Sequence, residues 1–102
     1  MVKCETTHVS PTAEQLLITR ARTFEKGALT EIFDRYHFGI YSYALRLLGD
    51  SELARECMSA TFERFLNGLN RGIGPDAYLQ AYLYRIAHNL VVDMYRGDRE
   101  TV

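Results

Sequence analysis

The chain has no apolar run long enough to cross a membrane, and its opening, MVKCETTHVS, lacks the cationic segment followed by an apolar one that export requires. A cytoplasmic protein without membrane contact is expected. Positive charge is also in short supply: 12 Lys and Arg stand against 13 Asp and Glu, a formal net charge of -1. A domain that grips duplex DNA by its own field is therefore excluded, because such binding relies on many cations neutralising phosphates. Cys4 and Cys57 lie far apart without a CxxC partner. They read as free thiols, with Cys57 packing as a small apolar residue. His8, His37 and His88 fall in three separate segments with no HxxxH or HExxH spacing, so no metal site is predicted. There is no alternating strand pattern, hence no strand to carry a glycine-rich phosphate loop, and no repeat or low-complexity tract. With no catalytic constellation, metal or cofactor motif, the chain does not read as an enzyme.

What is present is helix. A length of 102 residues with 47% apolar content suits one domain with one core. Residues 1–10 show no periodicity and read as a flexible lead-in. Order is expected from Ser10-Pro11-Thr12, where a hydroxyl cap, a proline suited to a first turn and Gln15 three residues after Thr12 form a start signal. Leu17, Ala21 and Phe24 mark the inner face of a short helix fading near Gly27. A second helix spans about Ala28 to Leu48, with Leu29, Ile32, Phe33, Tyr36, Ile40, Tyr43, Ala44 and Leu47 inward, and Gly49 ends it by taking a left-handed turn. Asp50 caps a third helix that carries Leu53, Cys57, Thr61, Phe62, Phe65 and Leu69 inward and ends around Asn67-Gly68. Glu52, Glu56 and Glu63 fall on its outer side, and Glu31 and Asp34 on that of the second, as charges that keep a bundle solvated or dock a basic partner. The stretch Asn70 to Pro75, with two glycines and a proline, is a loop. A fourth helix begins at Gly74 or Asp76 and runs to Arg96. The fold class expected is all-α, a compact bundle of three main helices plus a shorter leading one, over residues 11–96, with residues 97–102 a polar tail or the start of a linker.

The fourth helix has two distinct sides. Leu79, Leu83, Ile86, Leu90 and Met94 recur at steps of three and four and form a stripe that needs a core. The other stripe reads Tyr78, Tyr82, Arg85, Asn89 and Arg96. Rings, guanidinium groups and an amide on one ridge can stack on unpaired bases, hold phosphates and read base edges. The same tyrosines at helical spacing also fit a second packing seam. Periodicity leaves both readings open. His88, beside the ridge, reads as a solvated histidine.

The run YSYALRLLGDSELARECMSATFERFLNGL, followed by PDAYLQAYLYRIAHNLVVDMYR, resembles the second conserved region of bacterial RNA polymerase sigma factors of the extracytoplasmic-function group. The resemblance spans roughly Gln15 to Arg99, and ALRLLGD-SELA and YLYRIAHN are its most specific words. It implies a domain that docks on the coiled-coil clamp helices of the polymerase largest subunit. With the loop before its last helix and that helix itself, such a domain opens and reads the minus-ten promoter element, capturing the non-template strand with one base turned into a pocket. A base already out of the stack is cheaper to capture than one in duplex, so a nearly neutral domain suffices if the polymerase holds the DNA. By position, the resemblance implies that the loop Asn70 to Pro75, with Asn70 and Arg71, forms the base pocket. Tyr78, Tyr82, Arg85, His88, Asn89 and Arg96 would then face the strand, with Arg85 and Asn89 in direct contact. It implies a polymerase-facing set of Asp50, Glu52, Glu56, Ser59, Ala60 and Glu63.

Two departures bear on that reading. Family members commonly carry Asp-x-x-Gln-Glu-x-Phe on the third helix, where this chain has Glu56, Ser59, Ala60 and Phe62. Glu56 keeps the charge, whereas the loss of two polar contacts of about 1 kcal/mol each weakens docking by roughly an order of magnitude or more. Tyr82 stands where tryptophan is usual, keeping a ring but a smaller one. The resemblance also implies a linker and a second helical domain that reads the minus-thirty-five element, and GDRETV reads as a linker's opening. Two functional classes follow: a promoter-melting sigma domain, favoured by the ridge and loop, and a helical interaction module for an anti-sigma or other protein partner without promoter binding, favoured by Ser59 and Ala60.

Overall fold

The computed structural model describes the backbone of residues 12–101 and the side chains of residues 12–96. Cys4, His8 and Pro11 lie outside the described residues, as does the expected lead-in. Within them the chain forms helices α1 (Ala13–Arg22), α2 (Lys26–Leu48), α3 (Ser51–Asn70) and α4 (Leu79–Thr101), with no strand among the described residues. This is the expected all-α bundle.

Several helix ends follow from local chemistry. Thr12 Oγ1 accepts from the Gln15 amide at 3.0 Å while Gln15 Oε1 accepts from the Thr12 amide at 3.0 Å, a reciprocal cap that satisfies two orphan donors. One Asp50 carboxylate oxygen accepts from the amides of Glu52 and Leu53 at 2.8 and 3.0 Å. Gly49 ends α2 at φ 70°, a conformation without steric cost only for glycine.

Other ends differ from expectation. Helix α1 stops at Arg22, and Phe24, expected to point inward, takes φ 59° on the surface. Its amide donates to Ala21 O at 2.8 Å and that of Glu25 to Arg20 O at 3.1 Å, so a C-terminal motif that usually uses glycine is built here on phenylalanine. Its backbone strain is about 1–2 kcal/mol. Helix α2 consequently starts at Lys26 and contains Gly27. Helix α3 runs past Gly68 to Asn70; the glycine that closes it is Gly72, at φ 78°, with Gly72 N–H on Leu69 O and Ile73 N–H on Gly68 O. Helix α4 starts later than expected, at Leu79, and continues beyond Arg96 to Thr101.

The core is drawn from all four helices. Leu17, Ile18 and Ala21 come from α1, Ile32, Ile40 and Ala44 from α2, Cys57, Phe62, Phe65 and Leu69 from α3, and Leu79, Leu83, Ala87, Leu90 and Val91 from α4. Ile86 and Met94, expected in the α4 stripe, pack at its edge, while Ala87 and Val91 occupy its centre. Phe33 and Leu47, expected inside, sit at the surface edge of α2, because the α2 residues facing the core are Ile32, Ile40 and Ala44. The Phe33 ring still stacks on His37 at 4.6 Å and tilts onto Phe62 at 5.0 Å. Thr61 is a buried polar residue whose hydroxyl donates to Cys57 O at 2.8 Å, so it carries no desolvation penalty. The Cys57 thiol lies 3.6 Å from Ala87 O, and burial pushes its pKa upward against a smaller opposing effect of Thr61.

Two seams hold α4. Against α3 it is apolar, with Phe65 buried and set edge-on to Tyr82 at 6.2 Å. Against α2 it is amphipathic: Tyr43 meets Tyr84 edge-on at 5.4 Å, the Tyr43 hydroxyl pairs with His88 Nδ1 at 3.0 Å, and the Tyr95 hydroxyl donates to Leu47 O.

Candidate nucleic-acid interface

The outward side of α4 exists because the aliphatic side is consumed by the core. Fixing Leu79, Leu83, Ala87 and Leu90 inside turns Arg85 and Asn89 outward, about one helical turn apart, with Arg96 exposed further along. Among the described residues Arg85 and Arg96 enter no ion pair. Tyr82 is half-buried against Phe65, so it serves packing and presents only part of its ring. The packing-seam alternative therefore holds in part for Tyr82. His88 is exposed yet tied to Tyr43, and is not simply a solvated histidine.

Tyr78 is not on the helix. It precedes the first helical residue, its carbonyl accepting from the Tyr82 amide at 3.1 Å, with φ 57° and 78% of its surface exposed. A left-handed tyrosine with almost no packing contact carries strain of about 1–2 kcal/mol, offset elsewhere in the fold. The offset is visible in what holds its neighbours. Arg22 of α1 donates to Pro75 O at 2.7 Å and to Asp76 Oδ1 at 2.6 Å, and the Leu79 amide donates to Glu14 Oε2 at 2.8 Å. A carboxylate there satisfies one orphan donor and complements the positive end of the α4 dipole. Residues Glu14, Tyr78, Gln80, Ala81 and Tyr84 line a shallow depression of about 470 Å3 beside this junction.

In the connecting loop, Asn70 is the last residue of α3 and Arg71 its cap, both exposed. Gly74, at φ 159°, passes so close to Leu69 that a Cβ would lie 3.0 Å from its Cδ2, and Pro75 is buried. Arg22, Leu69, Gly72 and Ile73 enclose a smaller hollow of about 120 Å3 on the loop. Sequence reasoning missed Glu14, Arg22, Gln80 and Tyr84 as neighbours of the loop and ridge. Glu14 and Arg22 contact residues 53 to 65 positions away, and nothing in α1's own pattern signals such partners.

On α3, Glu52, Glu56, Ser59 and Glu63 are exposed at steps of four, three and four and share one outward stripe. Ala60 is half-buried beside it, and the Asp50 carboxylate is occupied in capping α3. No group of three or more potential metal ligands occurs among the described residues.

The sigma-70 region 2 family model matches residues 32–101, covering α3, the loop, α4 and most of α2. The chain belongs to the sigma-70 region 2 family. It is 33% identical over 87 residues to the ECF RNA polymerase sigma factor BldN of Streptomyces coelicolor, covering 81% of this chain and 31% of that protein. It is 29% identical over 73 residues to the RNA polymerase sigma factor YlaC of Bacillus subtilis, covering 72% of this chain and 42% of that protein. The chain thus spans less than half the length of these curated relatives. No solved structure matches. BldN is itself an ECF sigma factor, the group that the words ALRLLGD-SELA and YLYRIAHN resemble. Helix α1, which supplies Glu14 and Arg22, lies N-terminal to the residues matched by the family model.

Proposed function

We propose that this region 2 domain docks on the clamp helices of the RNA polymerase largest subunit and captures the non-template strand of the minus-ten element. The observation that carries the reading is the exposed line of Arg85, Asn89 and Arg96, whose arginines make no ion pair among the described residues, on a helix whose opposite side is locked in the core. In this reading Arg85 and Arg96 hold phosphates or base faces and the Asn89 amide reads a base edge. Tyr78, almost fully exposed, supplies a ring for stacking, and the loop with Asn70 and Arg71 receives the unstacked base. Tyr82 backs the surface from beneath, and His88 frames its edge.

The polymerase-facing surface in this proposal is the α3 stripe of Glu52, Glu56, Ser59 and Glu63, with Ala60 beside it and Asp50 fixing the helix start. Its carboxylates suit a basic partner, while Ser59 and Ala60 reach less far than longer polar side chains. That shortness supports a second reading, in which the domain engages an anti-sigma or other protein and does not bind promoter DNA. Pull-down with purified core polymerase and fluorescence binding to a single-stranded minus-ten oligonucleotide separate the two. Capture of both core and oligonucleotide, with weaker oligonucleotide binding by Asn89→Ala, is expected; failure to bind either sinks the promoter reading.

A further inference from the structure

The helices flanking the loop and the left-handed Tyr78 bond only the two ends of this segment through the backbone, α3 at Arg71 to Ile73 and α4 at the Tyr78 carbonyl. Residues 71–78 form no helix, with Gly72 at φ 78° and Gly74 at φ 159°. The side-chain ties to residues 75–79 come from α1, which precedes them by more than fifty positions: Arg22 on Pro75 O and Asp76, and Glu14 on the Leu79 amide. Helix α1 can bear this load because Leu17, Ile18 and Ala21 seat it in the core. Arg22 lies on the last turn of α1 and Glu14 on the first, so the ties come from both ends of one rigid rod.

We infer that α1 is a positioning arm for the strand-binding surface: Glu14 and Arg22 hold residues 75–79, and through them Tyr78, in the strand-binding pose before a strand arrives. The inference rests on the strand-capture reading above. Ordering a loop beforehand removes that cost from the binding step, and an arm anchored in the core does this without touching the ligand. Glu14 is a positioning residue here. Its Oε2 is taken by the Leu79 amide, and its charge would repel phosphate rather than bind it.

The test uses the whole chain with Glu14→Ala, Arg22→Ala and the pair together, followed by amide hydrogen exchange, thermal melting and anisotropy on a single-stranded minus-ten oligonucleotide. Exchange at residues 73–79 is expected to rise while the core amides of α3 stay protected, and the pair should bind the oligonucleotide about tenfold more weakly. Glu14→Gln, which keeps an acceptor oxygen for Leu79, should restore most of the affinity lost in Glu14→Ala. In a Tyr78→Ala background the Glu14→Ala loss should largely vanish, whereas with Arg96→Ala the two losses should add. Unchanged affinity in the pair, with or without faster exchange, overturns the positioning role, as does a Glu14→Ala loss that persists undiminished without Tyr78. If the unaltered chain binds no oligonucleotide, the strand-capture reading itself fails and takes this inference with it, an outcome visible before any variant is compared.

Discussion

Arg85→Ala separates a functional guanidinium from a structural one more sharply than any other single change. Arg85 is exposed on α4 and makes no ion pair among the described residues. Alanine is the better helix former by a few tenths of a kcal/mol, so folding stability should change by less than about 0.5 kcal/mol. In the proposed strand complex the same group would make a charge-assisted hydrogen bond of about 1.5–3 kcal/mol. Solvent screening at an exposed site places the loss near the lower end, about tenfold in affinity. Salt adds an independent reading, because each phosphate contact on a single strand contributes about 0.7 to the slope of log K against log salt. Anisotropy titrations at several salt concentrations, with thermal melts of both proteins, measure all three quantities. Equal affinity and equal slope with an unchanged melt would refute the assignment of Arg85 to the strand. A tenfold loss with an unchanged slope would move its guanidinium from a phosphate to a base face.

Other expectations test the fold beneath the site. Phe65→Ala removes a ring buried between α3 and α4 along with its edge contact to Tyr82; a loss of about 3–5 kcal/mol is expected in denaturant titration, and a loss under 1 kcal/mol would contradict a close-packed seam. Asp50→Ala deletes the acceptor for the Glu52 and Leu53 amides and should cost about 1 kcal/mol, with Asp50→Ser recovering most of it in the same titration. Burial raises the Cys57 pKa, so the folded state favours the neutral thiol. The stability this contributes is complete below the unfolded thiol pKa and lost as pH climbs through the higher folded value. As pH rises through the unfolded thiol pKa of about 8.5, therefore, the native chain should lose stability more steeply than Cys57→Ala, and parallel slopes would count against that coupling.

Much of the architecture could be read from local chemistry. The Thr12 and Gln15 pair, the Asp50 cap, the Gly49 stop and the α3 inner face each depend on residues within a few positions of one another, and each is found in the structure, save that Ala54 rather than Leu53 is the buried residue at the start of that face. The misreadings have separate physical causes. Phe24 takes a left-handed turn that phenylalanine disfavours, held by hydrogen bonds back into α1; Gly68 looks like a stop but sits inside α3, where its hydrogen faces the Ile73 carbonyl. The Asp76 side chain, read as a possible start of α4, is instead engaged by Arg22. In the candidate interface, the outward placement of Arg85, Asn89 and Arg96 was legible because an amphipathic helix fixes it. The displacement of Tyr78 off the helix and the reach of Glu14 and Arg22 were not, since they arise from contacts between distant parts of the chain.

The contrast between the two seams of α4 has a mechanical corollary. Where Phe65 and its neighbours exclude solvent, parting the helices would expose oily surface all at once. Where Tyr43 and Tyr95 line the join, each phenol can exchange its protein partner for a water molecule with little penalty. The bundle is thus hinged rather than uniformly glued: when thermal motion or a bound partner pries α4 loose, it should swing away from α2 first while α3 keeps its grip.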